Sequence, residues 1–167
     1  MVSYSLDERR FVSDSGDAPG IERPQRRVEY NPHELHGIPP RQLDEVWPLV
    51  ESWIIDSAER TRGKYTADDI RQGILTGHAQ LWLWHSPTAI GVLITEIVPY
   101  PQNRCCVIST GAGTNADEWW ELSLARLEEF ARYAGCTDML IICRPGWEKR
   151  FRSVGYDRSH VYMEKRL

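Results

Sequence analysis

Long apolar runs are missing from this chain of 167 residues; the longest, residues 89–94, spans six, against the roughly 18 needed to cross a bilayer. No membrane partner is therefore expected. The opening Met1-Val2-Ser3-Tyr4-Ser5 offers no basic segment leading into an apolar core, so no secretory signal is expected either. Lysine is scarce, 3 against 17 arginines, and the formal net charge is −4. That balance disfavours a chain-wide polyanion binder, nucleic acid included. Cysteine is limited to Cys105, Cys106, Cys136 and Cys143, with no C-x-x-C pair. These read as reduced core thiols, not as a zinc site or a nucleophile. His33 and His36 are three residues apart but sit in a Pro-rich stretch, where solvated histidines are the reading and no metal is implied.

What is present is an ordinary globular composition, 41% hydrophobic and 26% charged, at a length that suits one domain with a core of its own. Half of the ten prolines lie in the first 40 residues, with Gly16, Gly20, Gly37 and a Ser/Asp-rich patch. Residues 1–26 read as an extended arm, because so little apolar surface cannot offset the entropy of ordering it. Val28-Glu29-Tyr30 reads as a short first strand, and residues 27–167 as the folded domain.

Within that domain Leu43, Val46, Trp47, Val50, Trp53 and Ile54 recur at helical spacing, with Pro48 predicted to start or kink the helix. Thr66 and Asp69 form a capping box before Ile70 and Ile74, and Gly77 stops that helix. Residues 79–84 and 89–98 are aromatic and β-branched runs joined by His85-Ser86-Pro87-Thr88, a hairpin signature; residues 104–109 make a third strand. Gly111-Ala112-Gly113-Thr114 reads as a turn. Trp120, Leu124, Leu127, Ala131 and Ala134 then mark one helix face, ended by Gly135. Residues 138–143 are a near-continuous apolar strand, as expected where both faces are covered. A short helix over 146–154 and an alternating strand over 160–165 complete the chain.

Leu127-Glu128 through Ala131, Gly135-Cys136, and Phe151-Arg152-Ser153-Val154-Gly155-Tyr156 as a terminal Y-x-x-x-G-F-like segment, taken with this element order, resemble the GNAT superfamily of N-acetyltransferases. The implied fold is α/β (α+β), a mixed sheet with two N-terminal helices, a central helix and a C-terminal strand-helix-strand. Val46-Trp47-Pro48, Leu81-Trp82-Leu83, Arg144-Pro145-Gly146-Trp147 and Glu164-Lys165 are similar, more narrowly, to GNAT-like proteins that tailed phages encode among their virion genes.

The family's chemistry implies a Q/R-x-x-G-x-G/A turn whose N–H groups hold the coenzyme A diphosphate at the mouth of the central helix. Its frame puts the two glycine positions at Glu118 and Trp120, with Asp117 alongside, and its terminal-helix tyrosine, the proton donor, at Phe151. These departures imply lost acetyl-CoA machinery. The expectation is then a cofactor-free, non-catalytic phage structural or accessory protein that docks to partner subunits through its arm. It would assemble in the host cytoplasm and remain in the virion, as an oligomer or hetero-assembly. The alternative is an acetyl-CoA-dependent N-acetyltransferase with a modified loop at Gly111, Ala112, Gly113 and Thr114. Glu96 would be its base and Tyr156 a displaced proton donor, with Tyr162 also nearby in sequence.

The candidate partner-binding residues are Pro19 and Pro24 in the arm, Trp119, Arg150 and Arg152. Trp119 and Trp120 are adjacent on a helix and cannot both point inward, so one is an exposed anchor. Arg144, Lys149, Arg150, Arg152 and Arg158 form either a patch for an anionic partner or a solvated face balanced by Glu148 and Asp157.

Overall fold

The computed structural model describes residues 31–161 and 163–167. The arm with Pro19 and Pro24, the strand expected at 28–30 and Tyr162 lie outside the described residues. The chain runs β1 (Glu34–Ile38), α1 (Leu43–Glu59), α2 (Ala67–Leu75), β2 (Ala79–His85), β3 (Ile90–Pro99), β4 (Arg104–Gly113), α3 (Trp120–Tyr133), β5 (Asp138–Ile141) and α4 (Glu148–Ser153). The five strands form one sheet in the order β1-β2-β3-β4-β5, antiparallel except for the parallel pair β4 and β5.

Alternation along the strands divides the core into two layers. One sheet face packs Leu81, Leu83, Val92 and Ile94 against Leu43, Val46, Val50 and Ile54 of α1 and Ile74 of α2. The other packs Trp82, Trp84, Leu93, Cys106 and Ile108 against Leu124, Leu127 and Phe130 of α3 and Phe151 of α4. Trp82 stacks edge-on against Phe130 and donates its indole N–H to Thr95 Oγ1 at 2.8 Å, so this buried tryptophan keeps its polar atom satisfied.

Local signals behave as their chemistry requires at most boundaries. Thr66 and Asp69 complete the capping box of α2. Gly77, Gly135 and Gly155 all take positive φ where helices end. Pro48 lies inside α1 without breaking it; its ring is exposed, so the carbonyl it leaves without a donor faces water. Among the described residues no helix is long and apolar enough to cross a membrane.

Four expectations need correction. The first described strand is β1, in the stretch read as Pro-rich coil; Leu35 and Ile38 bury on opposite faces, and Gly37 lies under the Trp82 ring. Strand β4 continues past Ser109 to Gly113, because the antiparallel ladder with β3 resumes after a bulge. Strand β5 is covered on one face only, leaving Leu140 and Ile142 exposed. The strand expected over 160–165 does not form among the described residues; Glu164 is held instead by Lys64 and Arg62 of the α1–α2 loop.

Leu127 is fully buried between α3 and the sheet. Leu127→Ala should lower unfolding free energy by about 3 kcal/mol through lost contacts and the cavity left behind, measured by urea denaturation. Leu49→Ala, on the exposed side of α1, should stay within about 0.5 kcal/mol.

Candidate functional site

The gap between the two parallel strands begins at one extra residue. Thr95 pairs with Ile108 and Ile94 with Thr110, so Ser109 bulges out of register. A bulge bends its strand, and the β4–β5 ladder ends at Ile108 and Ile141. From Thr110 to Gly113, β4 pairs only with β3 among the described residues, and its other backbone edge faces the gap. The gap lies at the carboxyl ends of adjacent parallel strands, where open α/β sheets place their ligands.

The mouth of α3 opens at the same end. Asn115 takes a left-handed conformation, residues 116–118 form a 3-10 turn, and Trp119 has φ −128°, so the helix proper starts only at Trp120. No side chain caps it, and its first internal hydrogen bond runs from Ser123 N–H to Trp119 O at 2.9 Å. The N–H groups of Trp120, Glu121 and Leu122 therefore have no acceptor among the described residues. They form the partial positive end of the helix dipole.

Both acids preceding this mouth are tied away from it. Glu118 accepts hydrogen bonds from Ser86 Oγ at 2.5 Å and Thr88 Oγ1 at 2.7 Å, on the β2–β3 turn. Those two bonds, with a smaller contribution from His33, hold its carboxyl below the usual range. Asp117 forms an ion pair with Arg150 of α4. Asn115 Nδ2 donates to Thr88 O at 2.6 Å, and Trp119 Nε1 donates to Thr114 O at 2.8 Å. The far wall is aromatic: Trp120 meets Trp147 and Phe151 edge-on with centroids 6.3 and 5.9 Å apart, and Arg150 lies 4.9 Å over Trp147.

The loop expected to cradle phosphate is built differently. Gly111, Ala112 and Gly113 pair with Leu93, Val92 and Gly91 as strand, and Thr114 gives its N–H to Ile90 O at 2.9 Å. Gly113 is required for contact, since a Cβ there would lie 2.2 Å from Ile90 O. As strand, this stretch keeps open donors only along the edge that faces the gap, and the consecutive open N–H groups belong to the helix.

Trp119 is also not the exposed anchor. It is 4% exposed and lies against Gly91, where an added Cβ would come within 2.6 Å of its ring. The 3-10 turn ahead of α3 offsets Trp119 from the helical register, so Trp119 is buried and Trp120 half-buried. Arg150 is paired with Asp117, and Arg152 with Glu148 at 3.1 Å.

Glu96 and Tyr156 lie on opposite faces of the sheet. Glu96 is half-buried on the α1/α2 face, between Ala79 and Val107, one step along β3 from the bulge. Tyr156 packs against Phe151 on the α3/α4 face, with its hydroxyl toward Met139 Sδ at 3.8 Å. Burial first, then Glu128 and the Cys106 and Cys105 thiols, push that hydroxyl up to about 12. Sequence reasoning missed Ser86, Thr88 and Asn115, whose roles depend on contacts about thirty residues apart. No group of three or more metal-binding side chains occurs among the described residues.

No protein-family model matches the sequence, and no curated protein matches it significantly. Solved structures do. A ribosomal-protein-alanine N-acetyltransferase from Brucella melitensis biovar Abortus 2308 superposes with TM-score 0.59 and 11% identity over 80% of this chain and 99% of its own. An aminoglycoside acetyltransferase from an uncultured soil metagenomic sample, in complex with sisomicin, gives 0.58 at 10% identity over 80% and 95%. A predicted acetyltransferase from Clostridium acetobutylicum, with acetyl-CoA, gives 0.56 at 10% identity over 80% and 96%. The chain thus has the GNAT fold. The expectation of a non-catalytic phage component is overturned: these neighbours are acetyltransferases, and the acids thought to close the helix mouth are bonded elsewhere.

Because the folded-state pKa of Glu118 is lowered, its contribution to stability is complete above the unfolded value of about 4.3 and is lost as pH falls through the folded value. Glu118→Gln should therefore lower Tm at pH 7 and flatten the acid limb of a Tm-against-pH curve. An unchanged limb would contradict the assignment.

Proposed function

We propose that the protein is an acetyl-CoA-dependent N-acetyltransferase that holds the cofactor's diphosphate on the uncapped first turn of α3 in place of a glycine-rich loop. The observation that carries this reading is the set of three open N–H groups at Trp120, Glu121 and Leu122 beside the β4–β5 gap, with Asp117 and Glu118 bonded elsewhere. Acetyl-CoA would supply a thioester whose acetyl carbon is open to attack by an amine. Backbone N–H groups at a helix N-terminus suit phosphate by direction and by dipole. The free edge of β4 from Thr110 to Gly113 offers main-chain partners to an extended, amide-bearing arm, as strand addition does. Trp120, Trp147 and Phe151 would shield that arm from water.

Glu96 is the carboxylate placed to take a proton from an amine approaching on the α1/α2 face, directly or through one water. Phe151 has no hydroxyl, and Tyr156 is turned toward Met139. With neither of these two donating, the departing sulfur would take its proton from solvent.

Titration calorimetry with acetyl-CoA should give one site. Glu121→Pro deletes one N–H where the first helical turn tolerates proline and should bind about tenfold more weakly than Glu121→Gln, which removes the same carboxylate but keeps the N–H. Absence of saturable binding by the wild type would overturn the proposal. Glu96→Gln should leave that affinity unchanged and lower kcat on a responsive amine by about 100-fold or more; unaltered kcat would remove Glu96 from the reaction.

A further inference from the structure

The open edge of the sheet is self-complementary. Strand β5 pairs with β4 alone, so its second edge has no strand partner among the described residues. The strand ends at Ile141, and Arg144, three residues on, is again extended (φ −69°, ψ 149°) before Pro145. Asp138 and Leu140 share one strand face by alternation, and they and, just beyond the strand, Ile142 and Arg144 are exposed, Leu140 by 37% and Ile142 by 62%. Exposed strand edges recruit further strands unless charge, proline or a covering segment blocks them. The opposite edge, β1, is followed directly by Pro39 and Pro40; residues 138–143 contain one charged residue and no proline.

Antiparallel pairing of residues 138–144 with the same residues of a second copy, centred on Ile141 and lengthening β5 to Arg144, would set Asp138 opposite the partner's Arg144 and Leu140 opposite the partner's Ile142. Symmetry repeats both pairs. One face of the junction then carries four aliphatic side chains flanked by two ion pairs, the apolar centre and charged rim of a closed isologous interface. The charges suit this arrangement. Arg144 makes no ion pair among the described residues. Asp138 receives Asn103 Nδ2 and Thr137 Oγ1 on the same oxygen, Oδ2, leaving Oδ1 for the guanidinium. The chain's own tail is held at the α1–α2 loop through Glu164.

We propose that this face docks a second copy of the chain, joining two sheets through their β5 edges. The mass of the full chain in solution, by sedimentation equilibrium across a concentration series, tests this. The wild type should reach the dimer mass. Arg144→Asp should weaken the dimer at least about tenfold by setting like charges across the junction, and Asp138→Arg combined with Arg144→Asp should restore most of that loss, because both pairs re-form with signs exchanged. Ile142→Lys, on an exposed side chain, should dissociate it without touching the ion pairs. A wild-type monomer, the result if the tail covers this edge, would overturn the proposal; so would a dimer indifferent to Arg144→Asp.

Discussion

Glu118 binds the entrance of α3 to the turn between β2 and β3, and much of the site's geometry follows from that contact. The carboxylate takes two hydroxyl donors, Ser86 and Thr88, while Asn115 grips the Thr88 carbonyl from the same loop. Two short charge-assisted bonds cost little to keep at neutral pH, where the acid is ionised. They move a negative charge off the helix axis at the very point where a dipole would otherwise be neutralised by it. Trp119 completes the anchorage by lying on Gly91, a position with no room for a Cβ, and by bonding Thr114.

Divergence of β4 from β5 has two consequences for the molecule. At the carboxyl ends of the strands it exposes an unpaired edge of β4 next to the helix mouth. Along its far side it leaves β5 short, half-covered and terminal in the sheet. The aromatic cluster of Trp120, Trp147, Phe151 and Tyr156 stabilises the junction of α3 with α4, so the two helices frame the gap as a fixed pair. Edge-to-face aromatic contacts of this kind add roughly 0.5 to 1.5 kcal/mol each beyond area burial.

Elements with strong local chemistry were legible in the sequence. The capping box at Thr66, the 4-3-4-3 apolar spacing of α3 and the glycine stops at Gly77 and Gly135 act over a few residues, and the structure places all of them as read. The failures came from partners distant in sequence. Gly111 and Gly113 resemble turn residues until the close approach of β3 supplies another reason for glycine. Two adjacent tryptophans look incompatible with one buried face until a 3-10 turn offsets them. Asp117 and Glu118 read as a barrier to phosphate because sequence gives a charge its position along the chain but not its direction. The 160–165 alternation suggested a strand, yet a strand needs a neighbour to pair with, and an ion pair to the α1–α2 loop took Glu164 elsewhere.

The central claim is that the first turn of α3 receives a diphosphate. Backbone amide shifts of the nitrogen-15-labelled protein, followed as coenzyme A is added, address it residue by residue. The account predicts saturable downfield movement concentrated at Trp120, Glu121 and Leu122, with smaller changes along Thr110 to Gly113. Movement confined to the tail and the α1–α2 loop, or no movement at saturating ligand, would contradict it.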